Sequence, residues 1–324
     1  MGTVVLIDAD PIIYASGFAA QKTVYEYVYL DSSGTMQQNM WTDGNEALRF
    51  FREHGDYSVL NKEARIDAAD PSFACQAART TLRGIMRAVS EHFKADDRTM
   101  TVELVLSGPG NFREKLATIR PYKGDRPPPP VHYQVVRNYL TERHNAIVVS
   151  GMEADDYVSI RAREAARDGT NFVVATIDKD LDQVPGLHYN YQKKVMYTVN
   201  DVEADLMFWT QVIAGDATDN IQGCYKIGVS KATALLGEWT EQHAKDKRNW
   251  TWETYIWRSI VQLYKLNMQK YPEKYVGSGL TPEEVAIETA RLVKMLDHED
   301  QLWTPPNKPD ESLTAWLAAK GEKK

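Results

Sequence analysis

Four short runs of β-branched and other apolar residues punctuate the first half of the chain: TVVLID (3–8), TVELVLS (101–107), NAIVVS (145–150) and NFVVATID (171–178). Each is bounded by turn-forming or charged residues, as buried strands of a parallel sheet are. Segments of helical periodicity lie between them, over about 71–94, 111–119, 130–143 and 153–167. This alternation predicts an α/β fold with a doubly wound, mostly parallel sheet. Two segments interrupt it. Residues 23–41 alternate around a DSSGT turn and predict a hairpin. RPYKGDRPPPPVHYQ (120–134) is basic and then proline-rich, which predicts a loop or a helix entrance. After about residue 199 the pattern turns helical, and Trp252, Tyr255, Ile256, Ile260 and Leu263 form an apolar stripe expected to be core. The pattern divides the chain into an α/β domain over 1–198 and a helical domain over 199–324. Its tail, from TPPNKPDE to a basic KGEKK end, is expected to be loosely attached.

Composition narrows the function little. With 324 residues, 43% of them hydrophobic, the chain can bury a sizeable core, as an enzyme or a binding module would. No apolar run approaches the roughly 20 residues that span a bilayer, and MGTVVLIDADP lacks the flank of a signal peptide. A cytoplasmic protein with no membrane partner is expected. Cys75 and Cys224 match no CxxC spacing, which argues against a disulfide scaffold or a cysteine zinc site. A net charge of −7 argues against a uniformly basic nucleic-acid surface, yet leaves room for basic patches beside an acidic pocket.

Acidic residues recur where strands end. Asp8 and Asp10 follow the first strand, Glu153, Asp155 and Asp156 the third, and Asp178 and Asp180 the fourth, while Asp216 and Asp219 lie in AGDATDN. Singly, each group also suits a helix start or an Asx turn. In an open parallel sheet, however, the carboxyl ends of the strands share one edge, where ligands bind. Two carboxylates 4 Å apart repel by about 4 kcal/mol at an effective dielectric near 20, so such a gathering calls for cations. Oxygen donors without His or Cys select Mg²⁺ or Mn²⁺. A pair of such ions activates water and stabilises the leaving oxygen of a phosphodiester.

Basic residues accompany them. Arg113, Lys115, Arg120, Lys123 and Arg126, with Tyr122, follow the second strand, where they can neutralise phosphate charge or form a solvated face. GCYKIGVSKATALL (223–236) sets two glycines in a turn before a helix, an arrangement that exposes backbone N–H groups to an anion.

Taken in order, LIDAD, PYKGDR, MEADD, TIDKDLDQVPG and GDATDNIQGCYKIG resemble the 5′ nuclease superfamily: flap endonucleases, the 5′ nuclease domain of bacterial DNA polymerase I and, most closely, the 5′ to 3′ exonucleases of T-odd bacteriophages. The similarity runs over nearly the whole chain. It implies a PIN-like nuclease domain and a helix-three-turn-helix that grips duplex DNA. By that resemblance Asp8, Glu153, Asp155 and Asp156 form a first metal cluster, and Asp178, Asp180, Asp216 and Asp219 a second, holding two Mg²⁺ or Mn²⁺ ions. Lys123 and Arg126 match the pair at the scissile phosphate, with Tyr122 beside them. Gly223, Lys226, Gly228, Ser230 and Lys231 match the duplex-binding turn, which in the family often holds K⁺, and Arg113 and Arg120 are further expected DNA contacts. The implied substrates are duplex, flap or nicked DNA and RNA/DNA hybrids, acted on by a monomer in phage replication or recombination.

Three departures stand out. Ser107 and Gly108 occupy the place where the family commonly carries Asp, so that either one metal ligand is replaced by water or Asp10 compensates. Lys226 stands where the turn usually has Gly. The 23–41 hairpin has no role the family supplies. Two other readings compete: a catalytically impaired DNA-binding homologue, and a HAD-type phosphatase suggested by LIDADP, although Ile12 stands where that family expects Thr or Val.

Overall fold

The computed structural model describes residues 2–94, 99–124, 126–246, 248–275, 279–306 and 308–321. Its strands are β1 (Thr3–Asp8), β2 (Gln21–Leu30), β3 (Met36–Trp41), β4 (Ser58–Ala68), β5 (Met100–Ser107), β6 (Ile147–Val149), β7 (Phe172–Ala175), β8 (Gly186–Asn190) and β9 (Val195–Val199). The main sheet runs β6-β5-β1-β7-β8-β9. All neighbours in it are parallel except β9, which turns back antiparallel to β8. The chain steps outward from β1 to β5 and β6, then crosses to β7 on the other side of β1. That reversal opens a crevice beyond the carboxyl ends of β1 and β7.

Burial explains why the strand pattern was continuous rather than alternating. Val5, Leu6 and Ile7 are all 0% exposed, so β1 is covered on both faces. On one face Leu6, Val105 and Val174 pack against Val158 and Ala162 of the helix Ala154–Arg167. Each large apolar side chain so covered contributes about 1.5–3 kcal/mol. The helix begins with a capping box, in which the Glu153 side chain accepts from the N3 backbone and Asp156 accepts from the Glu153 N–H.

Several elements are shorter than their patterns. The strand expected over 171–178 stops at Ala175, because Asp178 turns to cap the 3₁₀ turn Lys179–Gln183. The helix expected over 111–119 shrinks to Arg113–Leu116, with Ala117 already extended ahead of Pro121. The prolines at 127–130 stay outside the helix Tyr133–His144. The 23–41 hairpin forms as β2 and β3, with Tyr25 opposite Trp41, but a third strand, β4, also pairs along β2.

By its contacts the chain divides into two compact units, one of residues 1–11, 85–127 and 146–324, the other of 12–84 and 128–145. In the second unit, Tyr27, Tyr29 and Ala47 form a small core with Trp41, Phe50 and Phe51. In the first, the helices Asp201–Ala214, Val229–Lys245, Trp252–Lys270 and Pro282–Val293 share a core. Ile256 and Ile260 are fully buried there, and Trp252, Tyr255 and Leu263 pack partly against it. The tail is better docked than expected: Glu311 pairs with Arg291 at 2.9 Å, and Trp316 and Leu317 pack on the same core. The last basic residues, Lys323 and Lys324, lie outside the described residues. No described helix is long and apolar enough to cross a membrane.

Candidate functional site

The crevice at the switch point is lined by carboxylates held by a web of short-range bonds. Asp8, 4% exposed, accepts from the Asp10 N–H and from Thr176 Oγ1, each at 3.3 Å. Thr176 Oγ1 accepts from the Asp178 N–H at 3.0 Å, Asp178 from the Asp180 N–H at 2.9 Å, and Asp180 from Gln211 Nε2 at 2.8 Å. On the other side of β1 the Asp10 carboxylate accepts from the Ser107 N–H at 3.2 Å, and Ser107 Oγ accepts from the Ala154 N–H at 2.9 Å. Ends of β1, β5 and β7 and the start of the helix Ala154–Arg167 are thereby tied into one rim.

Asp216 and Asp219 arrive on a separate loop. Its stem is a two-residue pairing of Gly215–Asp216 with Ile221–Gln222. A Cβ on Gly215 would stand 2.3 Å from the Gly223 N, and one on Gly223 2.2 Å from the Ala214 carbonyl carbon. Two backbones touch there, which only glycine permits. Gly215 also has φ +70°, in the left-handed region.

Cations within the chain are unevenly shared among these acids. Tyr122 Oη lies 2.5 Å from Glu153 and 2.9 Å from Asp219. Lys123 Nζ bonds Glu153 and stands 3.6 Å from Asp219, which also accepts from Arg126 at 2.9 Å. Lys179 Nζ lies 3.2 Å from Asp216 and 3.7 Å from Asp180. Asp8, Asp155 and Asp178 have no ion pair among the described residues. The grouping therefore differs from the expected split: Asp8 neighbours Asp10 and Asp178, Glu153 meets Asp219 across Tyr122 and Lys123, and Asp180 meets Asp216 across Lys179. Among the described residues no three His, Cys, Asp or Glu side chains converge as a ready-made cation cage. Ammonium and guanidinium groups stand among the carboxylates instead. The donors themselves are all oxygen, a set suited to a hard divalent ion.

The electrostatics follow the pairing. Burial, then the charges of Asp10 and Asp178, push the Asp8 carboxyl well above its usual range. Burial, then Glu153 and Asp156, do the same to Asp155. Burial raises Asp178, and burial with Asp178 and Asp216 beside it pushes Asp180 up to about 7. Glu153 goes the other way: burial would raise it, but Arg113 and Lys123 outweigh that and hold it below its ordinary value.

These carboxyls titrate near 3.9 when unfolded, by order of magnitude, so between about pH 4 and 7 the folded chain binds more protons and its stability falls as pH rises. Glu153 contributes in the opposite sense, losing its stabilisation on acidification below about pH 4. Metal-free protein is accordingly expected to melt higher at pH 5 than at pH 7.5, and saturating divalent ion to reverse that order. Calorimetric melts at the two pH values, with and without Ca²⁺, check this; a metal-free melt that rises with pH would contradict it.

Other expected site residues lie elsewhere. Arg113, expected to contact DNA, is 0% exposed: its guanidinium donates to both oxygens of Asp156, to the Leu292 carbonyl and to that of Lys294. It is a buried structural cation, and removing one partner of such a pair costs about 3–5 kcal/mol. Asp156, also 0% exposed, spends its oxygens on Arg113 and on the Glu153 and Leu296 N–H groups, so it builds the helix start beneath the rim. Gly223 is buried in the glycine stem, whereas Lys226, Gly228, Ser230 and Lys231 are exposed around the start of the helix Val229–Lys245, as is Arg120 on its own loop. Lys226 takes φ +62°, the left-handed conformation a glycine there would adopt, and its ammonium lies 5.5 Å and 5.6 Å from the ring centres of Tyr225 and Tyr271. Lys179 and Gln211 were not anticipated; the lysine between two acids in IDKD was the available signal.

Gly108 has a steric explanation. A Cβ there would stand 2.1 Å from the Val149 carbonyl oxygen, so no side chain fits between β5 and β6. Gly108→Ala is expected to destabilise the protein by roughly 1–3 kcal/mol or more in denaturant melts. An unaltered midpoint would show that the strands do not approach so closely.

No family model matches the chain. In sequence, 246 residues are 26% identical to the thermostable DNA polymerase I of Thermus thermophilus, a match covering 74% of this chain and 24% of that protein. Another 31% identity over 132 residues is to the DNA polymerase I of Rhizobium leguminosarum, covering 36% of this chain and 13% of that protein. The chain thus spans a quarter or less of the length of these relatives. Among solved structures it is similar to a mutant T5 5′-exonuclease, with TM-score 0.43 and 12% identity over 91% of this chain and 100% of that one. A T5 5′-exonuclease with bound divalent zinc gives TM-score 0.40 and 14% identity over 77% and 97%. In its ordered motifs and in its similarity to bacterial DNA polymerases I, the chain resembles the 5′ nuclease superfamily.

Proposed function

We propose that this chain is a Mg²⁺-dependent 5′ nuclease that hydrolyses phosphodiesters at the 5′ ends of duplex, flap or nicked DNA and of RNA/DNA hybrids, as a monomer in the cytoplasm of a phage-infected cell. The observation that carries the reading is a group of desolvated carboxylates, Asp8, Asp155 and Asp178, none of which has an ion pair among the described residues, near Tyr122, Lys123 and Arg126. Such a group is costly unless divalent cations enter. Glu153, Asp180, Asp216 and Asp219 would complete the donor set for two Mg²⁺ or Mn²⁺ ions. When bound, such ions lower the pKa of water and neutralise charge at a phosphodiester.

The chain's own residues do the rest. Lys123 and Arg126 are poised to exchange Glu153 and Asp219 for the scissile phosphate, where fixed cations stabilise developing charge. Tyr122 bridges the same two acids and orders the loop that carries both cations. The exposed turn at Lys226, Gly228, Ser230 and Lys231, followed by the N-terminus of the helix Val229–Lys245, suits a phosphate backbone, and we assign it the duplex grip of a helix-three-turn-helix with K⁺ at its turn.

The deciding experiment is a product ladder from 5′- and 3′-labelled blunt and flap duplexes, with and without Mg²⁺. Release of short 5′ products only with Mg²⁺ is expected, and DNA affinity should rise with Ca²⁺ and fall with salt. Absence of any metal-dependent product from either label rejects the reading.

A further inference from the structure

Tyr191 stands first in the turn that joins β8 to β9, and because β8 runs parallel to β7 its carboxyl end reaches the same rim as Asp8 and Asp178. The link is direct: the Thr176 N–H donates to the Tyr189 carbonyl at 3.1 Å, and Thr176 is the residue that bonds Asp8. Two residues on, the Tyr191 hydroxyl is buried beside Asp8, Asp178 and Asp10 and has no hydrogen-bond partner among the described residues. Buried phenols ordinarily find one, and an orphan in a cleft calls for an explanation.

The neighbouring acids do not provide the partner. No hydrogen bond joins the hydroxyl to Asp8, Asp10 or Asp178, whose bonds run to the Asp10, Ser107 and Asp180 N–H groups and to Thr176 instead. A tyrosine hydroxyl carries its proton at neutral pH and donates through its single O–H. An oxygen acceptor entering the cleft beside Asp8 would meet that donor.

We infer that Tyr191 is a substrate-facing hydrogen-bond donor of the acidic cleft, giving its hydroxyl proton's hydrogen bond to a non-bridging oxygen of the phosphodiester. This rests on the nuclease reading above. It adds a second phenol donor, besides Tyr122, to a site of acids and cations.

The test compares wild type with Tyr191→Phe, which keeps the ring and removes only the hydroxyl. Metal-free thermal stability is expected to be equal or higher in the variant, since an unpartnered buried group is lost. Affinity for 5′-phosphorylated duplex in Ca²⁺ should fall about 5-fold and single-turnover cleavage in Mg²⁺ about 10-fold, with Ca²⁺ affinity in the absence of DNA unchanged, effects typical of one lost hydrogen bond to a charged oxygen. A fall in cleavage with unchanged DNA affinity would move the acceptor from the phosphate to the water beside it and overturn the assignment to substrate. A lower melting point with unaltered binding and cleavage would make the hydroxyl structural and overturn the inference outright. A wild type that neither binds nor cleaves DNA rejects the parent reading, and this one with it, whereas an active wild type matched by Tyr191→Phe rejects this one alone.

Discussion

Asp155→Asn is expected to lower Mg²⁺-dependent cleavage by about 10³-fold, roughly 4 kcal/mol of transition-state stabilisation, while leaving the metal-free protein as stable as wild type or about 1 kcal/mol more so. The two effects share one cause. Asp155 sits in the first turn of the helix Ala154–Arg167, desolvated, with Glu153 and Asp156 adding like charge and no ion pair to it among the described residues. Its Oδ1 accepts from the Asp156 N–H at 2.7 Å, a bond the asparagine oxygen can keep. The substitution therefore removes a repelled charge and little packing. Cleavage assays on 5′-labelled duplex, run beside thermal melts without metal, check both halves. Wild-type cleavage by Asp155→Asn would remove this carboxylate from the chemistry, and a large loss of stability would show that its charge is compensated within the fold.

Lys123→Met should separate two functions that one side chain combines. Its ammonium bonds Glu153 and approaches Asp219, so it occupies the place of a cation among acids assigned to metal. Removing it should tighten Ca²⁺ binding about 10-fold, or about 1.4 kcal/mol, by taking away the competitor. Cleavage should fall about 10²-fold, because the charge that would transfer to the phosphate is gone. Calorimetric titration with Ca²⁺ and single-turnover cleavage read the two arms. Ion affinity that stays constant or weakens would show that the ammonium does not compete for the site. The methionine inherits the left-handed backbone at this position, φ +55°, at much the same cost as lysine, so the comparison is not clouded by the turn.

Of the main sheet, β1, β5, β6 and β7 were legible because their cores are unbroken apolar runs, buried on both faces in β1, in β7 and at Leu104–Leu106 of β5. β4 was not, since SVLNKEARIDA is exposed along its length and carries no burial pattern. β8 and β9 were missed for a related reason: GLHYN and VMYTV are short and mixed, and their place depends on pairing with β7 and with each other. The acids at strand ends could be read because topology alone brings parallel carboxyl ends to one edge. Their partners could not. Arg113 and Asp156 are 43 positions apart, and whether that arginine faces solvent or lies beneath the rim depends on the helix Pro282–Val293 and the segment after it, whose carbonyls it also bonds. Gly108 looked like a lost ligand until the approach of β6 gave it a steric cause.

The glycine stem at Gly215 and Gly223 has a mechanical consequence. It joins the end of the helix Asp201–Ala214 to the turn that precedes the helix Val229–Lys245, and the Cys224 N–H donates across it to the Ile213 carbonyl at 2.8 Å. With backbone against backbone, any shift of one strand of the stem meets the other directly. On one side of the stem hang Asp216 and Asp219, and on the other the turn that carries the exposed Lys226, Gly228, Ser230 and Lys231. A tilt of the turn is therefore expected to shift the two acids with it.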